Sequence, residues 1–167
     1  MAGRVEGRVE GKVALIAGAG CIGPGWGNGR AAAVLFAREG AKVFAVDKTA
    51  EAMTETVARV GNDGEIATHV CDVLDDRQVA ETTQACRKKF GRIDILVNNV
   101  GGSAAGGVAE MPEANFDQQI DYNLKSVFLC CRHVIPIMRT GRRRHRQYRV
   151  DFRDSLYRLA AGRLCLG

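Results

Sequence analysis

The chain has 167 residues, 46% hydrophobic and 26% charged, with a formal net charge of +5. That length suits one domain with a real core, and no apolar run is long enough to cross a membrane. The opening tandem Gly-Arg-Val-Glu repeat lacks the apolar stretch of a signal peptide, so a cytoplasmic location is expected.

In chain order, Lys12–Ala17 reads as a short apolar strand, followed by the glycine-rich loop Gly18–Gly29 and a helix over Arg30–Arg38. Gly40 is a plausible stop, and Ala41–Val46 returns as a buried strand before Asp47. Strand, glycine loop, helix and a second strand ending in an acid is how a dinucleotide site is built. Glycines let the backbone turn close to a pyrophosphate, and the helix N-terminus offers N–H groups to it. Gly18, Gly20 and Gly23 fit G-x-G-x-x-G literally. The helix should open directly after the last glycine, however, and Pro24–Gly27 intervene, so Gly18, Gly27 and Gly29 are favoured. Asp47 can accept both ribose hydroxyls of NAD and would repel the 2'-phosphate of NADP; Lys48 beside it softens that preference.

Beyond the second strand, Glu51–Val60 has Met53, Val57 and Val60 at helical spacing and stops at Gly61. Glu65–Cys71 is a third strand ending at Asp72. Asp75 caps a helix to Phe90, with Val79, Cys86 and Phe90 inward and Gly91 as terminator. Ile93–Val97 is a fourth strand. A long helix is expected from about Phe116 to Met138, with Phe116, Ile120, Leu124, Val127, Phe128, Cys131, Val134 and Ile135 on one buried stripe. Strands alternating with helices imply an α/β, Rossmann-like, doubly wound parallel sheet ordered 3-2-1-4, truncated after the fourth strand and the helix that follows. Cys21, Cys71, Cys86, Cys130, Cys131 and Cys165 form no C-x-x-C pair and show no ligand-like spacing with the histidines. Free thiols are therefore expected, with no metal and no disulfide framework.

Several of these motifs, in order and spacing, resemble the short-chain dehydrogenases/reductases over roughly residues 11–140. The family's T-G-x-x-x-G-x-G loop corresponds to Ala17-Gly18 through Gly27-Asn28-Gly29, with Thr replaced and extra residues inserted. Its adenine-contacting pair corresponds to Asp72-Val73, its N-N-A-G strand end to Asn98-Asn99-Val100-Gly101, and its helix asparagine to Asn123. The resemblance implies cofactor contacts at Gly18, Cys21, Gly27, Asn28, Gly29, Asp47, Asp72, Val73, Asn98, Val100 and Gly101, with Asn123 as the one catalytic residue present. It also implies NAD in preference to NADP, a small alcohol or ketone substrate, and a homo-oligomeric parent enzyme.

The family's chemistry is hydride transfer between nicotinamide and an alcohol or ketone, with a Tyr as general acid/base, a Lys lowering its pKa and a Ser positioning the substrate oxygen. A tyrosine needs a neighbouring cation to ionise near neutrality, hence Y-x-x-x-K. Here Tyr148 is followed four residues later by Phe152 and Tyr157 by Ala161, and the last lysine is Lys125. As written, the chain is expected to be inactive.

Composition changes at Gly141. From Arg139 to Gly167 there are nine arginines, two acids and no lysine, and the helical and strand periodicities vanish. Arginine without lysine is what GC-rich DNA yields out of frame. Reading one base later, synonymous codons from Arg142 onward can spell a glycine turn, a strand, a serine opposite Val150, and a tyrosine codon straddling Leu164 and Cys165 with a lysine four positions on. The sequence thus divides into an incomplete dinucleotide-binding domain, 1–140, and an out-of-frame, disordered tail, 141–167. Two alternatives stay open. One is a non-catalytic nucleotide-binding module; the other, the least favoured, is nucleic-acid binding through Arg142-Arg-Arg-His-Arg146 with Tyr148 and Phe152.

Overall fold

A computed structural model of the chain describes residues 7–140. The Arg-rich stretch 141–167, with Tyr148 and Tyr157 and its reading as an out-of-frame tail, lies outside the described residues.

Four strands, β1 (Val13–Ala17), β2 (Lys42–Asp47), β3 (Glu65–Val70) and β4 (Ile95–Asn98), form one parallel sheet ordered β3-β2-β1-β4. The connections are α1 (Asn28–Arg38), α2 (Ala50–Val60) and α3 (Asp76–Phe90). Successive strand side chains alternate between faces, so the central strands feed two cores. Val13, Leu15, Ala17, Phe44 and Val46 pack with Val79, Cys86, Leu129, Cys130 and Val134 on one face. Ala14, Ile16, Val43 and Ala45 pack with Ala33, Val34, Ala37, Met53 and Val60 on the other. β1 is buried along its whole length, as a strand covered on both faces must be.

Helix ends follow local chemistry. The Asp75 carboxylate accepts from Arg77 N at 2.9 Å and Gln78 N at 3.1 Å, capping α3, and Gly91 ends that helix in the left-handed region at φ 80°. Thr49 caps α2 through Ala52 N at 3.3 Å. Small differences from the sequence reading are that α1 opens two residues earlier, at Asn28, and β3 ends at Val70. In α2, Thr56 is buried where Val57 was expected, because its hydroxyl donates to the Ala19 carbonyl at 2.9 Å.

The larger correction concerns the long helix. Residues 113–140 form α4 (Glu113–Ile120), a π-helical turn (Asp121–Lys125) and α5 (Ser126–Thr140). Phe116 and Phe128 are 54% and 53% exposed, so no single stripe runs along the segment. The wide turn shifts the helical register, and α5 buries Ser126, Leu129, Cys130 and Ile137 together with the expected Cys131 and Val134, packing against β4 and α3. Among the described residues no helix is long and apolar enough to cross a membrane.

Candidate dinucleotide site

At the carboxyl ends of the strands, a cleft of about 950 Å³ opens between the β1–α1 loop, the end of β2, the turn after β3 and the end of β4. β1 sits where the chain switches direction, with β2 on one side and β4 on the other, the place where open parallel sheets form ligand crevices.

The glycine loop is shaped for close backbone approach. Gly18 has φ 77°, and a Cβ there would lie 2.9 Å from Val100 N. A Cβ at Gly29 would overlap the Gly18 carbonyl oxygen, so α1 can pass this close to β1 only with glycine. By contrast, a Cβ at Gly23 would meet nothing. The helix opens immediately after Gly27, which has no side chain to cap it, and its first turn holds no acid. The first-turn N–H groups are left for an anion, which the aligned peptide dipoles also favour.

Asp47 ends β2 at the cleft. Its Oδ2 accepts from Gly20 N at 2.8 Å and its Oδ1 from Lys48 N at 2.8 Å. The carboxylate thereby fixes the glycine loop while keeping lone pairs for a ribose. Across from it, Lys48 Nζ pairs with Asp72 Oδ2 at 2.9 Å. Burial pushes the Asp72 carboxyl up, but hydrogen bonds from Lys48 and Leu74 N outweigh it and hold the group below the usual carboxylate range. The same bond to Asp72 raises Lys48. Gln78 completes this turn, accepting from Asp72 N at 2.9 Å through Oε1 and donating to Asp75 Oδ2 at 3.0 Å.

Of the positions expected from sequence, Gly18, Cys21, Gly27, Asn28, Gly29, Asp47, Asp72, Val73, Val100 and Gly101 all line this cleft. Asn98 does not. Its Nδ2 points at Cys131 Sγ at 3.8 Å and its Oδ1 is buried without a partner among the described residues. The neighbouring Asn99 lines the cleft and donates to the Gly18 carbonyl at 3.0 Å. Side chains alternate along a strand, so one position decides which of two asparagines faces the site. Asn123, on the π turn, is not among the residues lining the cleft. Its Nδ2 donates to the carbonyls of Gly102 at 2.8 Å and Gln119 at 2.9 Å, and its Oδ1 accepts from Gly102 N at 3.2 Å. It clamps the loop after β4 to the wide turn, a local distortion frequent at functional positions. Tyr122 and Arg30, which sequence reasoning did not single out, also line the cleft.

The thiols split by environment. Burial pushes Cys86 and Cys130 up to about 12 and raises Cys71 and Cys131, so these four stay protonated. Cys21 alone of the described cysteines is part-exposed. Among the described residues no group of three or more His, Cys, Asp or Glu side chains is placed to hold a metal.

Comparison with known proteins agrees with this geometry. The short chain dehydrogenase family model matches residues 12–146. A 3-oxoacyl-(acyl-carrier-protein) reductase of Thermotoga maritima is 39% identical over 132 residues, 78% of this chain and 52% of the relative. Levodione reductase of Leifsonia aquatica is 39% identical over 136 residues, 79% of this chain and 49% of the relative. Among solved structures, a short-chain dehydrogenase/reductase from Burkholderia xenovorans matches with TM-score 0.79 and 47% identity over 81% of this chain and 52% of its own. Carveol dehydrogenase from Mycobacterium avium in complex with NAD matches with TM-score 0.73 and 32% identity, over 81% and 52%. The chain therefore spans about half the length of the relatives it matches. With a family model matching residues 12–146 and a structural relative at TM-score 0.79 and 47% identity, the chain belongs to the short-chain dehydrogenase family of oxidoreductases.

Proposed function

We propose that the described residues form the NAD-binding part of an oxidoreductase that moves a hydride between nicotinamide and a small alcohol or ketone, with NAD preferred to NADP. The observation that carries this reading is Asp47, whose carboxylate stands at the cleft within a hydrogen bond of the phosphate-loop backbone at Gly20. A carboxylate there suits ribose hydroxyls and repels a 2'-phosphate. Lys48 is engaged by Asp72, which limits its capacity to compensate.

When bound, the cofactor supplies the hydride acceptor or donor. This chain's residues supply the binding. Gly18, Gly27, Asn28 and Gly29 offer backbone to the phosphates, Asp47 orients the ribose, and Asp72 and Val73 border the adenine end. Asn123 holds the loop after β4 in place beside the nicotinamide end. No Tyr-x-x-x-Lys pair is present in the sequence, so proton transfer to the substrate oxygen is assigned to residues encoded in another reading frame after Gly141. The homo-oligomeric, cytoplasmic parent enzyme and the division at residue 140 belong to the same reading.

Two experiments test it. Asp47→Ala should weaken NADH binding and lift the discrimination against NADPH; an unchanged ratio would remove Asp47 from the site. Sequencing the gene from the codon for Met138 should find Y-x-x-x-K in the shifted frame. A confirmed arginine-rich frame with nothing family-like downstream would leave a non-catalytic nucleotide-binding module.

A further inference from the structure

The segment from Cys21 to Trp26 lengthens the turn between β1 and α1, and side chains outside the expected cofactor contacts hold it in place. Arg30 is only 2% exposed although it carries a full charge. Its Nη1 pairs with Glu55 Oε2 at 2.6 Å and donates to the carbonyls of Gly25 and, at 3.5 Å, Gly23. Nε donates to Thr56 Oγ1 at 3.3 Å and Nη2 to the Ala52 carbonyl at 3.4 Å. The second oxygen of Glu55 accepts from Arg59 Nε at 2.8 Å and Nη2 at 2.5 Å. The Arg59 guanidinium in turn lies 4.3 Å from the centroid of the Trp26 ring. The Arg59 hydrogen bond, reinforced by the charge of Arg30, holds the Glu55 carboxyl below its ordinary range.

A buried guanidinium without partners is strongly unfavourable, so these contacts form one connected unit joining α1, α2 and the inserted loop. The planar fork of arginine suits such a set of acceptors, where a lysine would satisfy fewer. Arg30 also turns two loop carbonyls toward itself, and carbonyl oxygens aimed into the cleft would repel a phosphate. We infer that Arg30 is a positioning residue of the cofactor site. Through Glu55, Arg59 and Trp26 it fixes the inserted loop as a preformed wall of the cleft before the dinucleotide arrives. Preorganisation of this kind raises affinity by reducing the ordering that binding must otherwise impose. The inference rests on the proposed reading that the cleft takes NAD(H).

Trp26 is the chain's one tryptophan, so its emission reports directly on the loop. The full chain and its Arg59→Ala, Arg30→Met and Arg30→Lys variants are titrated with NADH, following energy transfer from Trp26 to the reduced nicotinamide. Acrylamide quenching is measured without ligand, and a thermal melt checks folding. Arg59→Ala is expected to increase quenching and weaken NADH binding roughly threefold at an unchanged melting midpoint, the scale of a part-exposed ion pair. Arg30→Met should weaken binding by about tenfold or more, and Arg30→Lys should not restore it, as for loss of a hydrogen-bonded buried charge. If Arg30→Met fails to fold, Arg59→Ala decides alone. NADH affinity and quenching equal to wild type in the folded variants would overturn the inference and leave the cofactor reading intact. Absence of NADH binding by the unaltered chain would overturn both.

Discussion

Asn99, just past β4, donates through Nδ2 to the carbonyl of Gly18 at 3.0 Å, joining the end of the fourth strand to the glycine turn of the first across 81 positions of sequence. Gly18 must adopt positive φ in contact with Val100, and this bond holds its peptide in that orientation. Removing the donor leaves a part-buried carbonyl unpaired. Asn99→Ala is expected to lower stability by about 1–2 kcal/mol in urea unfolding. Asn99→Asp, isosteric but without the donor, should lose at least as much. Stability equal to wild type in Asn99→Asp would show that the bond contributes nothing.

The break at the π turn separates two neighbouring residues energetically. Leu129 is 5% exposed and packs in the core shared by α3 and β1, whereas Phe128 is 53% exposed. Leu129→Ala should destabilise by about 2–4 kcal/mol, and Phe128→Ala by less than about 0.5 kcal/mol. The unbroken stripe expected from periodicity requires the opposite order, so equilibrium unfolding of the two variants distinguishes them.

Acid should loosen the fold through four carboxylates. Glu55 is held low by Arg59, Asp72 by Lys48 and Leu74 N against its burial, Asp75 by the α3 N-terminus and Gln78, and Asp76 by His133. A carboxyl whose folded pKa is depressed contributes stability above its unfolded pKa and loses it as pH falls through the folded one. The urea midpoint should therefore hold from neutrality to about pH 5 and fall steadily from about pH 4 downward. A midpoint unchanged to about pH 3 would contradict these assignments.

Thiol labelling should be ordered. Cys21 lines the cleft and is part-exposed, while Cys71, Cys86, Cys130 and Cys131 are buried with raised pKa values. In a Cys165→Ser background, an aromatic disulfide reagent should react with one thiol promptly and with four only on unfolding. NADH should slow the prompt reaction. Equal rates with and without NADH would place the ligand away from Cys21.

Much of the framework was legible because it is locally encoded. The five-residue run Val13–Ala17 is buried on both faces and reads as a continuous apolar segment, and Asp75 and Gly91 mark the two ends of α3 by capping chemistry alone. The helix expected at Arg30 after the glycine loop is found only two residues away, α1 opening at Asn28 with Gly29 in its first turn. Three features were hidden for physical reasons. The π turn inserts a register shift that a fixed 3.6-residue period cannot represent, which is why Phe128 was assigned to the core. Arg30 sits on a helix as an ordinary charged residue would, and its burial depends on acceptors from Glu55 and Thr56, about 25 positions away. The difference between Asn98 and Asn99 is one step of strand alternation, set by the register of β4 on β1.

Calorimetric titration of the full chain with NADH and, in parallel, NADPH tests the account at its centre. Saturable NADH binding, with NADPH weaker by about tenfold or more, is the result expected from Asp47 at the end of β2. No heat of binding with either nucleotide, or tighter binding of NADPH, would contradict it.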